Sequence, residues 1–365
     1  MIISSLKARW RHYDYVLLAS VLLLAVIGLA ALYSISLGYD PVDFTNFRKQ
    51  LIYFGFGLLI AFIASLLNYS AFRVYSRYFY WGAAILLVLV AIFGTTLRGT
   101  RGWFSLFGFY FQPVELAKVA LLFFLAKFFS NRYQFFNEWR HVIVSLFGTL
   151  ILAFFVLMQP DTGSAAVLLG LWFILLMVTG VRWRYLGVIM LTAIVLVSIL
   201  WFGMFADYQK ARIMTFLNPA IDPLGSGYNV TQAKIAVGSG GVFGRGLGFG
   251  SQSQLKFIPE SQTDFIFAVI AEELGLLGVA LVLGLWVLIF YRLARAAKRA
   301  RDDFGQFVLL GILIIFFIHI FVNIGMNIGL LPVTGISLPF LSYGGSFVLV
   351  SMFFIGVAES VIASK

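Results

Sequence analysis

No cysteine occurs in the 365 residues, so disulfides and thiolate metal sites are excluded and any outer loop is held by packing and hydrogen bonds alone. Histidine is almost as scarce. His12, His141 and His319 have no ligand spacing, which argues against a zinc site. With no histidine expected on the outer side, a Ser-His-Asp set is excluded and a covalent serine route lacks a base. Charged residues make up only 11% of the chain, where a soluble domain has about a quarter. The glycine-dense run Gly238–Gly250 has neither a Gly-Lys-Ser/Thr ending nor a strand before it, so it is no nucleotide loop. The sequence implies no organic cofactor.

What is present is hydrophobicity: 61% of residues, with a mean hydropathy of +0.98. This predicts an all-α polytopic membrane protein. Apolar runs of spanning length fall near 15–35, 47–67, 79–97, 114–129, 142–158, 162–180, 185–205, 265–290, 307–331 and 340–361. They imply ten transmembrane helices in one domain, 1–365, with one large extracytoplasmic loop, about 206–264, between spans seven and eight. Lys and Arg concentrate on the side that holds the N-terminus, which places both termini in the cytoplasm. Arg292, Arg295, Lys298, Arg299 and Arg301 share one connection and read as an anchor against anionic lipid. The net charge of +11 therefore points to membrane lipid and not to nucleic acid. Lys7, Arg9 and Arg11 before the first run are expected to make it an uncleaved signal anchor.

The long loop contains Phe216, Leu217, Ile221, Leu224, Tyr228, Ile235, Val237, Val242, Phe243, Leu247 and Phe249. That is too apolar for disorder, so parts of it are expected to lie on the membrane face or dip into the bundle. Its glycine run reads either as tight turns or as a backbone cradle for an anionic or sugar ligand.

Polar residues gather at one membrane face. Pro259-Glu260-Ser261-Gln262-Thr263-Asp264 runs straight into the apolar Phe265–Ala271 and makes Asp264 the candidate catalyst. Glu272 and Glu273 follow roughly 12 Å deeper, where each needs a partner or a wet cavity. Arg98 and Arg101 lie between spans three and four. Glu115 and Lys118 sit at i, i+3, Asp161 is in the turn Gln159–Gly163, and Ser342 precedes the last span. Pro332, Pro339 and Gly344-Gly345 read as helix breakers around a re-entrant turn. Plainer readings stand beside these: Asp161 and Asp264 as helix N-caps, Glu115–Lys118 as a structural ion pair. As a group they suit an amphiphile with a phosphate head. A carboxylate takes a proton from a hydroxyl nucleophile while Arg and Lys stabilise the departing phosphate.

Five segments in order resemble the SEDS family (shape, elongation, division and sporulation), especially its RodA branch. They are Phe111–Lys118, Gln159–Gly163, Gln232–Gly241, Pro259–Phe267 and Leu338–Ser346. The branch rests on Ser251–Glu260 and Val322–Met326. The resemblance implies a peptidoglycan glycosyltransferase that joins lipid II units outside the bacterial cytoplasmic membrane, beside a class B penicillin-binding protein as transpeptidase. It implies Asp264 as general base, with Arg101, Glu115, Lys118, Asp161, Gln232, Lys234 and Ser342 binding substrate or supporting the site. Lys118 is assigned to the pyrophosphate or to its ion pair, and Glu115, Asp161 and Asp264 are candidates for a divalent cation, Mg2+ or Mn2+. The family pattern is departed from at Gly102 before Trp103, at Val114 and at Gln262. The competing readings are a flippase or transporter of the lipid-linked precursor, which would need charges near the midplane, and a scaffold for a transpeptidase.

Overall fold

The computed structural model describes residues 12–97, 99–106, 109–131, 138–203, 207–222 and 225–364. Lys7, Arg9, Arg11, Arg98 and Leu224 lie outside the described residues. The protein is mostly helical. Ten longer helices make the bundle: α1 (Tyr15–Leu37), α2 (Thr45–Leu66), α3 (Tyr69–Phe93), α4 (Pro113–Ser130), α5 (Trp139–Leu157), α6 (Thr162–Val178), α7 (Trp183–Gly203), α11 (Ile266–Ala297), α12 (Asp303–Asn327) and α13 (Gly345–Ile362). Between α7 and α11 lie α8 (Asp207–Leu217), α9 (Ser226–Ser239) and the single turn α10 (Ser251–Gln254). Eight of the ten are long and apolar enough to cross a membrane. The other two are α6, which is shorter, and α4, which carries Glu115, Lys118 and Lys127.

The third apolar run was expected to reach residue 97, but α3 starts earlier and ends at Phe93. Gly94 takes an extended backbone there, and the β-branched Thr95 and Thr96 open a small antiparallel sheet, β1 (Thr95–Leu97), β2 (Thr100–Leu106) and β3 (Phe109–Phe111). Hydropathy alone does not register that change of geometry, so the fold is all-α but for this hairpin and its third strand.

Small residues let the buried helices approach closely. A Cβ at Gly356 of α13 would meet the Ala61 carbonyl of α2 at 2.3 Å, and one at Gly311 of α12 would meet Leu122 of α4 at 2.0 Å. Around these contacts Trp286, Phe316, Phe340 and Phe354 form a fully buried aromatic group. At the opposite end from the site, Arg292 Nε holds Asp14 Oδ2 at 2.6 Å and Glu359 Oε2 accepts from the Asp14 amide, tying α11, α1 and α13 together.

The long loop does dip into the bundle, and its glycine run has a structural task. Helix α11 is broken at Gly275, whose φ is 63°. Leu276 and Leu277 then cannot donate to Glu272 and Glu273 in the helical manner. Their amides donate instead to the Gly241 and Val242 carbonyls, while Arg245 and Gly246 amides supply Glu272 and Glu273 carbonyls, all at 2.9–3.1 Å. Backbone groups at this depth need protein partners, and the loop provides them. Within the run the amides of Gly244, Arg245, Gly246, Gly248 and Phe249 are all engaged by protein acceptors, which favours the tight-turn reading. Glu272 accepts from the Gln252 and Ser253 amides, and Glu273 from Ser34, Ser253 and Gln254, so both deep carboxylates dock the loop.

Candidate active site

Asp264 sits at the end of a turn closed by Thr263 and Phe265 amides donating to the Glu260 carbonyl. The N-cap position of α11 falls on Phe265, so Asp264 stands one residue ahead of it. Its main chain is fixed from three sides. Asn323 Nδ2 and Asn327 Nδ2 donate to the Asp264 carbonyl at 3.0 and 2.9 Å, and Asn327 Oδ1 accepts from the Ala268 amide at 3.1 Å. Ser342 Oγ donates to the preceding carbonyl of Thr263 at 2.6 Å and accepts from the Leu338 amide. The side chain is half-buried, beside Gly335, where a Cβ would lie 3.6 Å from Oδ2. Gly335 has a φ of 73°, which favours glycine and keeps that flank bare.

A second group lies beside the same stretch of chain, residues 335–342. Lys118 Nζ donates to Glu115 Oε1 at 2.9 Å and to His319 Nε2 at 3.1 Å, and lies over the Phe347 ring at 5.3 Å. His319 Nδ1 then donates to the Ser337 carbonyl at 3.0 Å, which fixes a neutral ring with its proton on Nδ1. Glu115, Lys118 and His319 are 4%, 2% and 3% exposed. Of the two tasks foreseen for Lys118, this geometry supports the pair, since little of the ammonium is open to a diphosphate.

Asp161 is the N-cap of α6: its Oδ1 accepts from the Ser164 amide at 2.9 Å, and Oδ2 lies 3.4 Å from Gln112 Nε2. A Cβ on the adjacent Gly163 would meet the Thr334 carbonyl at 2.6 Å, which brings this helix end against the segment that flanks Asp264. Arg101 is exposed and donates to the Gly94 and Ile92 carbonyls, capping the end of α3. Gln232 is half-buried and Lys234 exposed on α9, whose Ala233 and Ala236 pack with Phe265 and Ala268. Among the described residues no three histidine or acidic side chains gather as a cation site. Glu115, Asp161 and Asp264 do not form one, and no step below is routed through a cation.

The sequence reading missed His319, Asn323 and Asn327. Their signal was there: polar side chains at every fourth position of an otherwise apolar helix mark one face turned toward partners.

A family model described as cell cycle protein, covering FtsW, RodA and SpoVE, matches residues 14–365. Peptidoglycan glycosyltransferase MrdB of Escherichia coli K12 is 37% identical over 350 residues, 96% of this chain and 93% of its own. Stage V sporulation protein E of Bacillus subtilis is 39% identical over 360 residues, covering 95% and 96%. A solved chain described under structural coordination of polymerization and crosslinking by a peptidoglycan synthase complex is similar with a TM-score of 0.81 at 31% identity, covering 96% and 98%. The rod shape determining protein RodA of Thermus thermophilus gives 0.71 at 29%, covering 96% of each chain.

Proposed function

This chain belongs to the FtsW, RodA and SpoVE family of cell cycle proteins, the SEDS family, and from that premise we propose that it is a peptidoglycan glycosyltransferase that polymerises lipid II. In this reading Asp264 is the general base. Its carboxylate takes the proton of the acceptor's GlcNAc 4-hydroxyl as that oxygen bonds to the donor's MurNAc anomeric carbon. The bond from that carbon to the diphosphate oxygen breaks, and its electron pair leaves with undecaprenyl pyrophosphate. The proton ends on Asp264.

The observation that carries this reading is the clamp on the Asp264 backbone by Asn323, Asn327 and, through Thr263, Ser342. A base needs a fixed position to meet its proton within hydrogen-bond reach, and three buried polar side chains supply that. Glu115 and Lys118 stiffen the neighbouring wall and Asp161 orders the start of α6, so all three act as supports. Gln232 and Lys234 approach from the loop. We read α1–α7 and α11–α13 as ten spans with both termini in the cytoplasm, residues 206–264 outside, and the reaction at the outer face. The likeness to a chain of a peptidoglycan synthase complex supports a class B penicillin-binding protein as partner.

Reconstitution of the purified protein with fluorescent lipid II tests the reading. Wild type is expected to make glycan polymer and Asp264→Asn none. Lipid II movement across vesicles without polymer would instead favour a transporter.

A further inference from the structure

The turn that carries Asp264 is held from α12, and a second helix holds it as well. On α2, Asn46 and Gln50 stand one turn apart at i, i+4, so both side chains leave the same face. Asn46 Nδ2 donates to Gln262 Oε1 at 2.7 Å, two residues before Asp264. Gln50 Nε2 donates to the Ser342 carbonyl at 3.0 Å, and Gln50 Oε1 accepts from the Gly344 amide at 3.2 Å. The two grips converge, because the stretch held by Gln50 is itself bonded to the turn. The Tyr343 amide donates to the Gln262 carbonyl at 2.8 Å, and Ser342 Oγ to that of Thr263.

Burial marks these amides as structural members and not as open binding groups. Gln50 is 0% exposed on a helix long and apolar enough to cross a membrane, where an unpaired amide is costly. Both ends of its side chain go to the main chain of residues 342–344. A Cβ on Gly345 would meet the Tyr53 ring at 2.3 Å, so the start of α13 lies directly on this face of α2. Gln262, where the sequence departs from the family pattern, is buried, and its Nε2 lies 3.5 Å from the Tyr39 hydroxyl. Its carboxamide is a strut between the Asp264 turn and α2.

We propose that Asn46 and Gln50 are positioning residues for the general base. Through them α2 sets where the Gln262–Asp264 turn meets residues 342–344, and so where the Asp264 carboxylate stands, without touching substrate. The proposal rests on the glycosyltransferase reading for the reaction that is positioned. A base must meet its proton within hydrogen-bond reach, and a misplacement of about 1 Å costs up to roughly a hundredfold in rate.

The test pairs lipid II polymerisation by the full chain in nanodiscs with hydrogen exchange on the same samples. Asn46→Ala and Gln50→Met are each expected to lower kcat roughly tenfold while KM for lipid II stays within about twofold of wild type. Gln50→Met should also speed exchange in peptides spanning residues 342–344. Asn46→Ala, Gln262→Ala and the double variant form a cycle in which both single changes break one bond, so the double variant should lose no more than the worse single one. Losses that multiply to roughly a hundredfold overturn the link between the two residues. Should Gln50→Met fail to fold, the cycle at Asn46, half-buried near the start of α2, decides. A lower melting temperature with unchanged kcat overturns the proposal and leaves Asn46 and Gln50 a packing role. A rise in KM with unchanged kcat overturns it by making them substrate contacts. No polymer from wild type overturns the glycosyltransferase reading and this proposal with it, whereas polymer from wild type and equal kcat in the folded variants overturns this proposal alone.

Discussion

His319 and Asn323 stand one turn apart on α12 and tie the two halves of the site to one segment of chain. His319 joins Lys118 to the Ser337 carbonyl, and Asn323 joins the Asp264 carbonyl to that of Ile336. A shift of residues 336–337 therefore moves the base and the buried lysine together.

Replacing Asn323 with Ala leaves two carbonyls short of a bond. A buried carbonyl left without a donor costs about 1–3 kcal/mol, which bears on Ile336; the Asp264 carbonyl keeps Asn327 but loses one side of its clamp, and that loss is the one that matters for chemistry. Polymerisation rate is expected to fall by roughly tenfold or more with little change in KM, because the base is misplaced while the substrate's own contacts persist. Initial rates over a lipid II concentration series, alongside melting in detergent, check this. An unchanged kcat in folded protein would count against the clamp.

The Glu115–Lys118 pair predicts a non-additive double mutant. Lys118→Met alone strands a buried carboxylate, one of whose oxygens already lacks a hydrogen-bond partner. Breaking a buried pair costs about 3–5 kcal/mol, whereas replacing both charges often costs far less. Glu115→Gln with Lys118→Met is therefore expected to melt above Lys118→Met alone. If Lys118 serves the pair, the double variant should also keep its KM for lipid II. A large rise in KM in that folded variant would give the lysine a direct substrate role.

Docking of the loop at the break in α11 separates two glycines that look alike in sequence. Gly241 and Gly244 both have positive φ, at 53° and 79°. A Cβ at Gly241 meets nothing within 4 Å, whereas one at Gly244 would lie 2.1 Å from the Glu273 carbonyl. Gly241→Ala should cost only the backbone strain, about 1–2 kcal/mol. Gly244→Ala must also push the loop off α11 and free the backbone groups of residues 272–277. Limited proteolysis should cut residues 240–256 much faster in Gly244→Ala than in Gly241→Ala or wild type.

The bundle was largely legible in the sequence because each buried helix is a long apolar run, and spanning length fixes the period and approximate ends of such runs. The end of α3 was not, since Gly94 and two threonines turn the chain into a strand without lowering its hydropathy much. Asp264 could be singled out because a carboxylate at the mouth of an apolar helix stands out against its neighbours. The contact of Lys118 with His319 could not, because 201 residues separate them and only packing of α4 on α12 joins them. For Glu272 and Glu273 the sequence asked for partners or a wet cavity without naming either, for a similar reason: the partners, Ser34 and the α10 amides, come from distant or irregular segments.

Asp161 remains the residue whose capping role and chemical role can be pulled apart by one atom. As N-cap of α6 it needs only a side-chain oxygen for the Ser164 amide, and Asn supplies that as well as Asp does. Asp161→Ala should lose the cap and about 0.5–2 kcal/mol of stability. Asp161→Asn should melt close to wild type, apart from a few tenths of a kcal/mol for the lost charge at the positive helix end. If Asp161 is a support, Asn should then retain most polymerase activity and Ala should lose more. Should Asn prove as inactive as Ala while folding normally, the negative charge itself takes part in the reaction, and Asp161 would join Asp264 as a group acting on substrate.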